Sequence, residues 1–454
     1  MLQSSARPDA TRRWFSRVWF LVGVIALLCV GAAAWIYQSY DRAAEQMLAN
    51  ARARGEPVTP IELETYYAVP PVSEDATSLW LAALAKLRLS PKPDWTVYRE
   101  LPYFADGSIP PLPPGEWPQL ALAEQFLAEQ KEVLAALRAA ADFGGRARFP
   151  DGNYLDAHDR GSALGFCARC LELEALVRLY RGDVSGTAAS LNAQLAIAHA
   201  LEDEPSSMAF HKMAVVYGDT NVRTYLTTED FSDADLSRLE NDLLAIDFRK
   251  SLRGALYGER LFGLSMSEYV ATAPLDNPEL FAQRLRRPFD RVAYLAMTED
   301  WLAVADTPWT RILAEGDAVA ARWNDMTGLL HPTTKQLSYI NLFYVGTVRR
   351  ETSRRLSILA IELERYRKRH GAPPALLDEL APEVLSEVID DPASGGQFRY
   401  LVSETDYVVY STSTRFPLLY GAALDSETGA NPALLFRRSL VSDKAPTEPA
   451  TDDR

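Results

Sequence analysis

A mainly α-helical fold is predicted by three features of this sequence: an N-terminal transmembrane helix, an irregular stack of helical hairpins, and a small C-terminal α+β module with a short antiparallel sheet. Residues 18–37 form an uncharged apolar run, residues 119–370 place apolar side chains at helical spacing almost throughout, and beyond Gly371 the pattern turns to tight turns and two-residue alternation. The organisation that follows is a cytoplasmic tail (1–17), a span (18–37), membrane-proximal helices with a Pro/aromatic-rich segment (38–118), a helical-hairpin body (119–333), a long helix with the α+β module (334–441) and a disordered tail (442–454).

The run from Val18 to Tyr37 is twenty residues long. At about 1.5 Å per residue, a helix of that length crosses the roughly 30 Å hydrocarbon core of a bilayer. Trp14, Phe15 and Trp19 flank one end and Trp35, Tyr37 and Tyr40 the other, where aromatic rings favour the headgroup layer. Arg7, Arg12, Arg13 and Arg17 precede the run, and Asp41 is the first charge after it. This asymmetry keeps the N-terminus cytoplasmic and exports the rest, although Arg42, Arg52 and Arg54 weaken it. Ala32-Ala33-Ala34 offers a competing reading as a signal-peptide cleavage site, but the apolar run continues through Trp35, Ile36 and Tyr37 and favours a retained anchor. Thr11-Arg12-Arg13-Trp14-Phe15-Ser16-Arg17 also resembles a twin-arginine export signal, with Ser16 in the place of the usual apolar residue. Leu28 before Cys29 excludes a lipoprotein signal.

About 410 residues outside the span suffice for two or three domains with proper cores. A hydrophobic content of 48% fits a globular chain, and a formal charge of −14 argues against nucleic acid as a partner. Three cysteines, one inside the span, form no disulfide framework. Cys167 and Cys170 make a C-x-x-C, but they sit within a helical pattern rather than at a helix start, so small buried residues explain them better than a redox pair. His158, His199, His211, His331 and His370 lack metal-ligand spacing.

Along the chain, residues 38–56 extend the apolar helix with a polar, Ala-rich segment that stops at Gly55 and Pro57. Thr59-Pro60 supplies a capping residue with proline at the first helical position, and residues 74–89 are amphipathic. Eight prolines between 90 and 118 impose an extended path, and the interleaved Trp95, Tyr98, Tyr103, Phe104 and Trp117 either lie against the body or form a partner-binding strip. Leu120, Leu127, Leu134 and Leu137 mark a helix ending at Gly144-Gly145. Helices follow at 161–181, 184–201 and 206–227, with Tyr180-Arg181-Gly182-Asp183 as the turn of one hairpin that resembles a tetratricopeptide unit. Ser232-x-x-Asp235 caps the next helix. Phe248–Ala271 then carries Arg253, Glu259 and Arg260, read as an intrahelical charge network with pocket groups as the alternative. Helices at 288–304, 308–329 and 335–370 complete the body. From Arg349 to Arg369 there are eight basic and three acidic residues, a net +5 on a chain of −14. The two readings are a solvated face balancing acidic neighbours and a surface that docks on anionic lipid or polymer. His370-Gly371 ends that helix. Beyond a short helix near 375–380, Phe398-Tyr400-Val402 and Tyr407-Val409-Ser411 alternate as two strands, with Leu418–Ala422 and Ala433–Arg437 as possible edges.

Leu363-x-x-Tyr366, Gly371, Pro373-Pro374, Leu377, Leu380, Asp391-Pro392, Phe398-Arg399-Tyr400 and Tyr410-Ser411 resemble the C-terminal half of a type II secretion major pseudopilin. The span lacks that family's Gly-Phe processing site, and the Gly-x-Asp-Gly tail after Ser411 is absent. The resemblance therefore implies neither pilus polymerisation nor a calcium site through Asp390, Asp391 or Asp406. In order, Gly55-Glu56-Pro57, Arg181-Gly182-Asp183, Leu201-x-x-Glu204-Pro205, Gly258-Glu259-Arg260 and Glu362–Tyr366 also resemble single-span, helix-rich envelope proteins of planctomycete-type bacteria, a family that implies no activity.

These features assign no catalytic, cofactor-binding or metal-ligating residue. The expected role is a membrane-anchored extracytoplasmic scaffold with a protein partner in the envelope, its signature an exposed groove or apolar patch. The alternatives are an accessory of a type II secretion-like assembly and a hydrolase using carboxylates such as Glu259, Glu299 or Asp300, which would have to converge in a cleft.

Overall fold

The apolar run and its polar extension form one unbroken helix, α1 (Pro8–Ala53). Its most apolar stretch has a mean hydropathy of 2.4 and is wholly unburied, so the helix is long and apolar enough to cross a membrane. The computed structural model describes residues 8–67, 70–90, 93–104, 109–149, 154–204, 222–227, 230–272, 278–326, 340–381, 389–413, 416, 428 and 434–440. The expected segments 206–221, 327–339 and 418–422, His211 and His331, and the tail 442–454 lie outside the described residues.

Gly55, at φ 78°, turns the chain from α1 towards α2 (Pro60–Tyr66). Thr59 Oγ1 accepts the Glu62 N–H at 3.2 Å, and the Glu62 carboxylate accepts the Val58 N–H at 2.8 Å, so the turn satisfies donors at the helix start from both sides. The body continues through α3 (Thr77–Leu89), α4 (Trp95–Tyr98), α5 (Leu120–Glu129) and α6 (Lys131–Phe143). The single helix expected over Leu120–Phe143 is broken at Gln130 because its halves pack on different partners, α5 on α7 (Tyr154–Tyr180) and α6 mainly on α3. The buried Gln130 side chain accepts a hydrogen bond from Ser90 at that break, at 3.1 Å. The Pro/aromatic segment lies against the body: Tyr98, Leu101, Phe104 and Trp117 are buried, and the rings of Tyr98 and Phe104 stand 5.1 and 5.2 Å from Phe126.

α7 and α8 (Val184–Leu201) form the expected hairpin. Gly182 takes φ 71°, and Asp183 caps α8 by accepting the Gly186 N–H at 2.9 Å. Next come α9 (Val222–Leu226), α10 (Asp233–Leu244), capped by Ser232 at 3.1 Å, and α11 (Phe248–Thr272). α12 (Pro278–Ala305) starts ten residues before the expected Pro288, which it carries inside. α13 (Trp309–Met326) leads to α14 (Ile340–His370), which ends at Gly371 (φ 78°).

The module after α14 has a 3₁₀ turn (Leu377–Leu380), a β1–β2 ladder (Asp390–Asp391 with Gly396–Gln397) and a three-stranded antiparallel sheet. In the sheet, β4 (Asp406–Tyr410) lies between β3 (Arg399–Val402) and β5 (Leu435–Ser439), with Tyr400 opposite Val409 and Val408 opposite Arg437. One hydrophobic core runs from Ala76 to Phe436, so sheet and helical body bury their apolar faces together. A smaller cluster of Ala44, Leu48, Ala51, Val58 and Leu295 fastens the polar half of α1 to α12.

The charge of α14 faces inwards. Glu351, Glu362 and Glu364 are almost fully buried, and each holds arginines: Arg354 and Arg355 on Glu351 at 2.8 and 2.7 Å, Arg365 on Glu362 at 2.8 Å, Arg367 on Glu364 at 2.8 Å. Arg365 and Arg367 also reach Glu240 and Asp230, at 2.8 and 2.5 Å. Neither a solvated face nor a lipid-docking surface describes these four arginines: Arg354, Arg365 and Arg367 join α14 to α10 and to the loop before it, and Arg355 reaches the Asp390 carbonyl of β1 at 3.1 Å.

Candidate functional site

Five segments meet in a cleft of about 340 Å³. Tyr66 and Tyr67 come from the end of α2, Glu74 from the loop before α3, Arg146 from the strand-like segment after α6, Glu202 and Asp203 from the turn after α8, and Lys250 from the first turn of α11. Backbone geometry joins two of them: Arg146 donates its N–H to Glu74 O at 2.9 Å and accepts from Ala76 N at 2.8 Å. Gly145 permits this approach. It sits at φ 103°, and a Cβ there would lie 2.3 Å from Glu74 O, a distance no side chain tolerates.

Both cations of the cleft converge on one carboxylate. Asp203 pairs with Lys250 and stands 3.5 Å from Arg146. Glu202 accepts the Asp247 N–H at 3.1 Å and lies 3.5 Å from His199 Nδ1, while His199 Nε2 is 3.0 Å from the Asp242 carbonyl. Behind this wall Arg160 holds Glu204 at 2.9 Å, and Arg148 lies 5.2 Å over the Tyr67 ring. Burial, reinforced by Glu204 and Asp203, pushes the Tyr67 hydroxyl far above its ordinary range, so it stays a neutral donor, to Ala147 O at 3.4 Å. Such a wall offers hydrogen-bonding groups of both signs, which suits recognition of a polar surface more than transfer of a proton. Exposed Ile61, Tyr66 and Val72 lie on the same α2–α3 stretch.

Tyr66 also packs edge-on to Tyr257, 5.1 Å between centroids, which links the cleft to a buried ion knot. Arg260 is fully buried and holds Glu56 at 2.9 Å, Glu299 at 3.3 Å and the Pro57 carbonyl at 2.9 Å. Arg54 reaches Glu56 and Glu299 from the other side, at 2.7 and 2.5 Å. Burial opposes ionisation of Glu56, but hydrogen bonds from Arg54 and Arg260 hold its carboxyl below the usual range. The expected intrahelical network of Arg253, Glu259 and Arg260 is thus interhelical: Arg260 ties α11 to α12 and the α1–α2 turn, and Arg253 reaches Asp306. Helical spacing brings charges of one helix together, but here better partners came from its neighbours.

The carboxylates read as hydrolase candidates are scattered. Glu259 is buried on α11, Glu299 belongs to the ion knot, and Asp300 accepts Trp323 Nε1 at 2.8 Å and pairs with Arg322. None of the three lines the cleft. A coupled acid pair does exist elsewhere: burial and the neighbouring Glu362 carboxyl raise the Glu240 carboxyl to about 7, but both lie in the α10–α14 interface against Arg365. Cys167 and Cys170 are buried in α7, and burial pushes the Cys167 thiol up to about 12 and Cys170 well above its ordinary value, which suppresses thiolate chemistry. Asp391 is buried and serves the module's own turn, accepting Ala393 N at 2.9 Å and Ser411 Oγ at 2.7 Å. Asp406 takes Ser403 Oγ at 2.5 Å. His370 stacks on Tyr366. Among the described residues no group of three or more His, Cys, Asp or Glu could hold a metal ion.

Of the residues in the cleft, the wall behind it and the knot, Glu56, Pro57, Glu204 and Arg260 stood in the short motifs legible in the sequence; Glu202, Asp203, Lys250, Arg146 and Tyr67 carried no spacing signal. A second cavity, of about 150 Å³, lies between α11 and α12, lined by Leu264, Met266, Val270, Arg287, Arg291 and Tyr294 among others. No protein-family model, no curated protein and no solved structure matches this chain.

Proposed function

We propose that this chain is a membrane-anchored scaffold of the cell envelope: α1 spans the cytoplasmic membrane with its N-terminus inside, and the body outside binds another envelope component without catalysing a reaction. The arginines before the run support the orientation. The observation that carries the binding reading is the 340 Å³ cleft, in whose wall Asp203 is held by Lys250 and Arg146 and whose α2–α3 stretch exposes Ile61, Tyr66 and Val72. A photoreactive side chain at Val72 or Ile61 of the full-length protein, activated in cells, tests it. One adduct of constant mass in the membrane fraction, lost in Asp203→Lys while the hydrodynamic profile is kept, is expected; scattered adducts unchanged by Asp203→Lys count against the reading.

A second reading, an accessory of a secretion-like assembly, is favoured by β3. It is an outer strand of its sheet, with Leu401 and Val402 exposed, a geometry that accepts an added strand from a partner. A photoreactive side chain at Leu401 discriminates: a constant adduct there and none at Val72 transfers the working face to the C-terminal module.

A further inference from the structure

The α11–α12 hairpin stands beside α1 where the span leaves the bilayer, and contacts along the two helices fix its direction. Tyr40 packs on Phe289 with 4.4 Å between centroids, Asp41 and Glu45 lie 3.5 and 2.8 Å from Arg291, and Arg54 lies 2.5 Å from Glu299. Residue numbers rise together, so α1 and α12 run the same way and α12 before Phe289 points towards the span. α11 runs against α12: Tyr294 donates to Glu259 O at 2.5 Å, and Arg287 pairs with Glu268 at 3.0 Å. At about 1.5 Å per residue, Arg287 and its partner Glu268 sit about 3 Å beyond Phe289 on the membrane side, the height of Tyr37–Tyr40 on α1.

At that height the hairpin exposes apolar surface: Met266 and Tyr269 on α11 are 42 and 58% exposed and Leu285 on α12 is 58% exposed, while Phe262, one turn before Met266 on the same face of α11, continues the stripe away from the span at 40%. Arg284, Arg286 and Arg287 belong to the same level. Gly263 makes the close packing possible, since a Cβ there would strike the Tyr294 ring. The cavity between the helices combines Leu264, Met266 and Val270 with Arg287 and Arg291, an apolar wall beside guanidinium groups.

We infer that the membrane-side half of this hairpin, Met266–Val270 with Arg284–Phe289, is a second membrane contact, seated in the headgroup layer of the bilayer that α1 crosses. The occupant of the exposed stripe is phospholipid. Tyr269 and Phe289 extend the aromatic belt of Tyr37 and Tyr40, where a ring meets acyl carbon on one edge and water on the other, and the arginines reach phosphate with their heads while their stems lie on apolar surface. The body is then held to the surface at two points, which fixes its tilt. This inference rests on the anchor reading, because without a span the level of Tyr40 has no meaning.

The test uses the full-length protein with Cys29→Ala, reconstituted in phosphatidylcholine nanodiscs; Cys167 and Cys170 are buried away from reagent. An environment-sensitive fluorophore is attached singly at Ile25→Cys, Tyr269→Cys, Leu285→Cys or Leu401→Cys, with and without a nitroxide on the lipid headgroup or mid-chain. The expected result is loss of emission by the headgroup quencher at 269 and 285, by the mid-chain quencher at 25, and by neither at 401. If 25 is quenched while 269 and 285 keep water-like emission, the inference falls and the anchor stands. A blue-shifted but unquenched probe at 269 means a protein surface covers the stripe, which also overturns it. If 25 escapes quenching, the anchor reading fails first and takes the inference with it.

Discussion

Two arginine-rich regions of this chain use the same residue in opposite ways. In α14 four arginines turn inwards onto Glu351, Glu362 and Glu364, which are 2, 0 and 1% exposed, and fasten the long helix to α10, to the preceding loop and to β1 of the C-terminal module. In the α11–α12 hairpin Arg287 and Arg291 pair with surface carboxylates beside an exposed apolar stripe, near the end of the apolar run of α1. The local sequences look alike, so charge density along a helix does not say which way it faces. What differs is where the partner carboxylates stand: those on α14 are buried in the helix's own inner face, whereas Glu268, Asp41 and Glu45, which hold Arg287 and Arg291, lie at the surface. α14 carries three of its own and gains Asp230, Asp233 and Glu240 from around α10. The ion knot at Arg260 lies between the extremes: buried like the α14 pairs, but placed where α1 joins the body.

Substitutions can sharpen that contrast. The largest loss is expected for Arg260→Ala, which leaves Glu56 and Glu299 facing each other without their buried cation, at a cost of about 3 kcal/mol. Denaturant unfolding of the full chain in micelles measures it, and Arg260→Lys should recover only part, since an ammonium cannot reach two carboxylates and a carbonyl in one plane. Arg365→Ala should cost roughly 2 kcal/mol at pH 8 and less at pH 5, where Glu240, raised to about 7, already holds its proton and the interface carries one negative charge fewer. An equal loss at both pH values would show that Glu240 keeps one charge state across this range.

Glu240→Gln isolates the titration. In the folded chain its carboxyl is raised to about 7 from an ordinary 4.5, so the folded state binds the proton more tightly than the unfolded one. That contribution is full below the unfolded value and is lost as the pH rises through about 7. The stability of Glu240→Gln relative to wild type should therefore rise by roughly 2 kcal/mol between pH 5 and pH 8. A flat difference would remove Glu240 as a titrating group. The smallest effect is expected for Arg284→Ala in the hairpin, within about 0.5 kcal/mol in micelles. A loss as large as that of Arg365→Ala would erase the contrast and make the hairpin's arginines structural.

Much of the fold could be read directly. The α7–α8 hairpin followed from Gly182 and the capping Asp183, α2 from Thr59-Pro60, and the strands of the module from the alternation around Tyr400 and Val409. Where the reading departed from the structure, long-range packing was responsible. The break at Gln130 carries no glycine or proline and exists because α5 and α6 face different neighbours. The extra turns of α12 before Pro288 form although proline lacks the N–H a helix interior uses. The cleft was the least legible part: Asp203 and Lys250 are 47 positions apart by their numbers, and Tyr67 and Arg146 are further still from their partners.

The sequence by itself determined the anchor-length helix, the helical class of the body, the hairpin turns and the β character of the C-terminal module. Each is a local property, written in runs of hydropathy, in period and in the few residues that cap or turn a chain. Tertiary structure alone decided that Glu351, Glu362 and Glu364 of α14 and their arginines are internal, that Arg260 binds across three elements rather than along its own helix, and that the α11–α12 hairpin lies beside α1 at the end of its apolar run. Those outcomes depend on which carboxylates and rings arrive from distant segments, and the free energy of a charge is set by the partners and the solvent around it, not by its neighbours in sequence.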